Sequence, residues 1–313
     1  MRSFIAFVTT TASPVCVTEH GIADFAVVWT YGYNWAAFQR CPTPESACAW
    51  ILPFVEMSFL LTYPSVPLTL VILLLLVGNW FRTNGDRKTE NMLAVTAIAI
   101  PATGVAEWAA DQLSRLRPWK YDLFIYHFDS VIHQPSFAAG RLVAEHGWLR
   151  GVVSVSYELM PISMVAAFAF YNWKRNLEGL RQLLWALLFN IAFAVPIYLL
   201  IPVCGPAFAF PGFPVPPSHV NPALVLIHAA PNGVPSVHMS TALLVLYFLW
   251  RSPYRLPAIL FAVLTAFSTL GSGQHYGFDL LCAVPYSACI YWLSSVAVRL
   301  HKQRQALLQT IAR

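Results

Sequence analysis

Apolar runs of membrane-crossing length recur along the chain, at residues 65–82, 91–111, 152–171, 179–203, 236–251, 255–271 and 278–299. A hydrocarbon core about 30 Å thick takes roughly 20 helical residues per crossing. The six later runs therefore predict six transmembrane helices, with 255–271 short for the task. The first run is softly bounded, because residues 47–63 precede it and Pro64 and Pro67 leave open one kinked helix or two. Residues 121–129 and 135–150 are too polar to span. Their aromatic side chains suit the headgroup region, so they are expected to lie along the interface, where an amphipathic helix can roof a site that takes its substrate sideways from the bilayer.

Composition points the same way. With 58% hydrophobic and 11% charged residues and a mean hydropathy of +0.58, a water-soluble domain is excluded. The expected fold is an all-α, polytopic membrane helical bundle. It divides into an N-terminal segment of open structure (1–63), a membrane-embedded catalytic domain (64–300) and a cytoplasmic tail (301–313). Arg2 and the short apolar run 4–8 are too weak for a signal peptide, residues 1–45 carry no functional reading, and a misassigned start codon would also account for them. Of the six cysteines, Cys282 and Cys289 read as packing residues of the last span. Cys16, Cys41, Cys48 and Cys204 fall where a disulfide is permitted but not indicated, and no spacing resembles a zinc site.

Charge sets the orientation, since basic residues collect on the cytoplasmic side. Arg82, Arg87 and Lys88 share one loop, Lys174, Arg175 and Arg181 another, Arg251 and Arg255 a third, and Arg299, Lys302, Arg304 and Arg313 the tail. The alternate connections, 204–235 and 271–277, contain no Lys or Arg and are expected outside. The +5 formal charge is accounted for by these loops, so nucleic acid is not an expected partner. One outer segment, 112–150, breaks the rule with Arg115, Arg117, Lys120, Arg141 and Arg150. For Arg115, Arg117 and Lys120 taken singly, interfacial snorkelling weighs as much as neutralising a phosphate. The polar residues predicted at the same level tip the reading to phosphate. Asp122 and Asp129 are expected to cap a helix or pair with neighbouring basic residues.

Two polar islands adjoin the late spans: residues 235–240, Pro-Ser-Val-His-Met-Ser, and 271–279, Gly-Ser-Gly-Gln-His-Tyr-Gly-Phe-Asp. One helical hairpin between them returns the second island to the level of the first. His275 and Asp279 are four residues apart at the start of the last helix, a spacing that puts both side chains on one face. A carboxylate holding Nδ1–H of His275 leaves the other ring nitrogen free to attack phosphorus. Gly271, Gly273 and Gly277 permit close backbone approach there, and Gly273 is a candidate substrate contact. His238 opens the neighbouring helix, whose free N–H groups and dipole favour an anion. Ser236 can add a hydroxyl contact and His238 can protonate a leaving oxygen. Singly, each histidine reads as packing and Ser236 as a cap. Together His238, His275 and Asp279 are costly to keep in adjacent spans and read as a site. Two histidines and a carboxylate can also bind iron or zinc, a weaker reading at a site that otherwise favours anions.

The Pro-Ser-x-His stretch at 235–238, followed after one hairpin by His-Tyr-x-x-Asp at 275–279, resembles the type 2 phosphatidic acid phosphatase superfamily. Residues 232–239, Asn-Gly-Val-Pro-Ser-Val-His-Met, and 271–280 are similar to its inositol phosphotransferase branch, which includes inositol phosphorylceramide synthase. Weaker likeness through Gly205-Pro206 and Tyr121-Asp122 extends the resemblance to roughly 90–300. It implies a six-helix phosphatase-type core plus an N-terminal helix or interfacial segment. It also implies His275 as phosphoryl-accepting nucleophile, Asp279 as its orienter, His238 as the group serving the leaving oxygen, no metal and no cofactor. Membrane lipids are the implied substrates; oligomeric state is not legible.

Phosphatases of that superfamily usually carry Ser-Arg seven and six residues before the nucleophile, where this chain has Ser268 and Thr269. The branch often has arginine after the Gly-Pro pair and before the Asn, where this chain has Ala207 and Pro231, leaving Arg115, Arg117 and Lys120 as nearby clamps. Three function classes follow: a lipid phosphotransferase, favoured; a lipid phosphate or polyprenyl diphosphate phosphatase; and a non-enzymatic lipid transporter. The last would distribute charge along several helices, for which Glu107, Asp111 and Glu158 are the candidates beyond Asp279.

Overall fold

The structure, a computed structural model, describes Leu113, residues 116–229, Pro231 and residues 233–311. The runs at 65–82 and 91–111, the segment 1–63, and Arg115 lie outside the described residues. Described strand is confined to one two-residue pair, Trp119–Lys120 (β1) antiparallel to Val225–Leu226 (β2), with Trp119 opposite Leu226 and Lys120 opposite Val225. All else regular is helix: Asp122–Ser130 (α1), Pro135–Glu145 (α2), Gly147–Trp173 (α3), Leu177–Leu200 (α4), Pro206–Ala209 (α5), Val237–Leu249 (α6), Arg255–Gly271 (α7) and Gly277–Ile311 (α8).

The five late apolar runs correspond to α3, α4, α6, α7 and α8, with shifted ends for all but α7. Among the described residues, α4 and the stretch Gly277–Leu308 of α8 are long and apolar enough to cross a membrane. A third crossing is available if the two halves of α3, Gly147–Tyr157 and Ile162–Trp173, bent by 43°, count as one span. Pro161, which has no amide hydrogen, falls in that break. The expected span at 236–251 comes out shorter, as the 13 residues of α6, while the short run at 255–271 is matched end to end by the 17 residues of α7. Helix α8 runs on through most of the expected tail, 301–313. The polar stretch 135–150 divides: Pro at its first helical position starts α2, and from Gly147 onward the chain already belongs to α3.

Helix α6 packs against α3, α4, α7 and α8. Its apolar residues continue around the whole circumference, the pattern of a helix enclosed on every side, and Leu244, Ala242 and Val245 are buried. Among lipid tails apolar burial does not drive helices together, so close packing and hydrogen bonds hold them. Asn190 of α4 supplies such a clip. Its Nδ2 donates to Thr241 Oγ1 at 3.0 Å, its Oδ1 accepts from Ser240 Oγ at 2.7 Å, and its carbonyl accepts from Tyr286 of α8. Each such bond contributes about 0.6–2 kcal/mol.

The proline-rich connection from α4 to α6 folds back over α1. Tyr121 N–H donates to Pro202 O at 2.8 Å, Ile227 N–H to Pro118 O at 3.0 Å, and Tyr126 Oη–H to Pro217 O at 3.1 Å. Beneath it Ile125, Tyr126, Phe137, Val203, Phe210, Val234 and Tyr276 form one buried cluster. That cluster seats the turn between α7 and α8 against the start of α6, which brings the two islands together.

Candidate active site

The site is built at the N-terminus of α8, where the first backbone N–H groups have no partner inside the helix. Two carboxylates take them. Asp279, the third residue of the helix, reaches back so that Oδ2 accepts from Tyr276 N–H at 2.8 Å. Asp129, from α1, accepts from Phe278 N–H at 2.9 Å and faces Ser136 Oγ at 3.4 Å. The expected capping role of Asp129 is therefore fulfilled on a different helix, 149 residues away.

His275 lies in the turn just before α8, fully buried, with its backbone N–H bound to Thr269 O at 3.2 Å. Its Nδ1 is 3.4 Å from Asp279 Oδ2. Neither ring nitrogen makes a well-aligned hydrogen bond to a described residue, and Asp279 Oδ1 is likewise buried without one. Burial pushes the His275 imidazole down to about 4, against a smaller opposing effect of the Gly233 backbone, so the ring is neutral at pH 7. Across from it stands His238 in the first turn of α6, ring centroids 5.9 Å apart. The far side of His238 meets the Tyr157 ring edge-on at 5.3 Å. Tyr157 Oη–H donates to Gln274 Oε1 at 3.0 Å and lies 3.2 Å from Ser272 Oγ. One α3 side chain thus touches both islands.

Asp122 closes the site from below. It is fully buried and accepts from Gly205 N–H at 2.8 Å, Cys204 N–H at 3.0 Å and Tyr276 Oη–H at 3.2 Å. Burial lifts its carboxyl to about 7, with the Gly205 and Cys204 amides pulling the other way; burial likewise lifts Asp129 to about 6, opposed chiefly by the Phe278 amide. The expectation of capping or pairing with basic neighbours is corrected for Asp122: its bonds reach the 204–205 loop and Tyr276 in the turn that carries His275. Gly205 has a φ of +122°, and a Cβ there would stand 2.3 Å from Gln274 O, so the loop and the turn touch through backbone alone.

Of the sequence-predicted residues, the structure gathers His275, Asp279, His238 and Ser236. Ser236 caps α6, its Oγ accepting from Met239 N–H at 3.2 Å, while its own N–H reaches Asp279 O at 3.3 Å. Gly273, at φ +70°, donates its N–H to Leu270 O at the end of α7 and accepts from Ala207 N–H of α5, so both its backbone groups are engaged. Lys120 is buried, its Nζ donating to Arg117 O, and burial lowers its pKa, with Cys204 and Asp122 opposing. The Arg117 side chain is exposed. Where a phosphatase arginine would stand, Thr269 Oγ1 bonds back to Thr265 O at 2.9 Å.

Sequence reasoning did not single out Tyr157 or Tyr276. The available signals were a phenol in an otherwise apolar run and a tyrosine beside His275; neither specifies a partner.

A buried neutral imidazole held between a carboxylate and a second histidine at converging helix starts is the setting for phosphoryl chemistry. The sequence profile of the PAP2 superfamily matches residues 123–293, more than half of the chain, and the chain belongs to that superfamily. Its members are phosphatases or phosphotransferases, and this protein is an enzyme of that class. Searches of curated proteins and of solved structures return no match.

Proposed function

We propose that the protein is a membrane lipid phosphotransferase of the inositol phosphotransferase type. In this reading His275 takes a phosphorylated headgroup from a donor lipid and passes it to a lipid hydroxyl. The supporting observation is the buried, neutral His275 with Nδ1 3.4 Å from Asp279 Oδ2 and His238 opposite.

In the first step the Nε2 lone pair of His275 attacks phosphorus and the P–O bond to the donor's lipid portion breaks. The departing oxygen takes a proton from a His238 that enters the step protonated. Asp279 balances the positive charge that the imidazole acquires. In the second step the acceptor oxygen attacks phosphorus, its proton passes to His238, and the P–N bond breaks to restore His275. Ser236 and the start of α6 supply hydroxyl and N–H contacts to the anion, and Lys120, Arg117 and Arg115 supply cations. The six-helix core, and the placement of both islands on the outer face, belong to the same proposal. The lack of Lys and Arg in 204–235 and 271–277 supports that placement.

The test is turnover of a phospholipid and lipid phosphate panel by wild type and His275→Ala, with lipid products identified by mass spectrometry. A new phospholipid without free phosphate, lost in the variant, is expected. Stoichiometric phosphate release without an acceptor would make the enzyme a phosphatase instead. Unchanged turnover in His275→Ala would end both readings.

A further inference from the structure

At the end of the bundle away from His275, the turn between α3 and α4 and the turn between α6 and α7 border an open cavity of about 550 Å³. Its wall is aromatic, formed by Phe170, Tyr171 and Phe248, and its mouth carries Lys174, Arg175 and Arg251. The 13 residues of α6 separate it from the islands by about 20 Å at 1.5 Å per residue.

The wall is fixed in place. Tyr171 Oη–H donates to Phe248 O at 2.9 Å, tying α3 to α6, and Phe170 meets both Tyr171 and Tyr254 edge-on. Gly179 makes room for it, because a Cβ there would stand 2.2 Å from Tyr171 Cε1. The nearby carboxylate of Glu178 is engaged by Lys302 of α8. The Lys174 ammonium and the Arg251 guanidinium have no ion pair or hydrogen bond among the described residues. Trp173, Trp250 and Tyr254 stand exposed around the mouth, at 78%, 50% and 52%. Exposed aromatics of that kind mark headgroup depth in a bilayer.

We infer that this cavity binds the phosphate of an anionic lipid headgroup, at a site separate from the catalytic one. Basic pockets between transmembrane helices hold such headgroups by charge and hydrogen bonding, while apolar walls receive the glycerol and upper acyl chain. A free phosphate would use the same cations but leave the aromatic wall unused. The residues are also placed to offset the negative C-terminal ends of α3 and α6, a role that needs no ligand, and the experiment separates the two.

The full chain is purified in uncharged detergent as wild type, Lys174→Gln/Arg251→Gln, and Lys174→Gln alone. Thermal unfolding is followed with added phosphatidylglycerol, phosphatidylcholine or inorganic phosphate, and retained lipids are counted by native mass spectrometry. Phosphatidylglycerol is expected to raise the wild-type midpoint by several degrees and phosphatidylcholine not to. The double variant is expected to lose most of that shift and to retain one anionic lipid fewer, with catalytic turnover unchanged. If the double variant does not fold, the single variant, with one cation gone, is read the same way for a partial loss. Equal stabilisation by inorganic phosphate would keep the anion site and replace the lipid by a soluble ligand. An undiminished phosphatidylglycerol shift in the variants, or a midpoint lowered equally with and without lipid, would overturn the inference.

Discussion

Replacing Asp279 by Asn separates its two duties. Oδ2 accepts the Tyr276 amide at 2.8 Å and faces His275 Nδ1 at 3.4 Å. An Asn oxygen can still accept from Tyr276, so the helix start survives and stability should change by less than about 1 kcal/mol. The charge does not survive. At 3.4 Å a unit charge facing a cationic imidazole is worth about 5 kcal/mol at an effective dielectric of roughly 20, an upper figure corresponding to a loss of at most several thousand-fold, on the order of 10³, in rate. Asp279→Ala should lose the same rate and, in addition, about 1 kcal/mol of stability from the missing cap. Single-turnover transfer to His275, measured by quench and phosphohistidine-preserving mass spectrometry, gives the rate, and thermal unfolding in detergent gives the stability. A rate for Asp279→Asn within tenfold of wild type would refute the assignment of Asp279 as the charge partner of His275. A large loss of stability in Asp279→Asn would show its role to be structural.

Gly205→Ala places a Cβ against Gln274 O at a φ of +122° and should cost about 3 kcal/mol or more, lowering the unfolding midpoint and the turnover together; a midpoint within a degree of wild type would contradict the close approach. Because burial holds His275 at about 4, it stays neutral as pH falls from 7 to 5. Phosphohistidine formation should therefore persist at pH 5, whereas an acid limb near 6.5 that moves with His275 variants would contradict its burial. Asp129 sits at about 6 in the fold against 3.8 for an unperturbed carboxyl, so its protonation favours the fold. That contribution is full below about pH 4 and is lost as pH rises through about 6. The midpoint of wild type relative to Asp129→Asn should fall over that window, and a pH-independent difference would exclude it.

The residues proposed to carry the chemistry were legible because they are dense where apolar sequence should continue. His238, His275 and Asp279 each carry a cost in a span that marks them without a structure, and the i, i+4 spacing of the last two fixes their relation. Asp122 and Asp129 were visible but misassigned in partner, since local sequence offers basic neighbours and cannot show that Gly205 or Phe278 lies closer in space. Tyr157 carries one polar atom in a long apolar helix, and its bonds to Ser272 and Gln274 span 115 and 117 positions. Helix lengths were misjudged for a different reason. Hydropathy counts apolar residues across the ends of α6, where the backbone has already turned at Pro235 and near Ser252, whereas α7 coincides with the apolar run at 255–271.

The brevity of α6 bears on where the reaction takes place. Thirteen residues make a rod of about 20 Å, some 10 Å less than a hydrocarbon core of ordinary thickness. On the proposed topology, with Trp250 held at the inner headgroups, the other end stops well inside the oil. Ser236, His238 and His275 then work about 10 Å beneath the outer edge of the hydrocarbon core, deeper than the plane in which headgroups are normally hydrated. Water would be the scarce reactant there and a neighbouring lipid's hydroxyl the abundant one. On that proposed topology, the length of a single helix would favour exchange between lipids over hydrolysis.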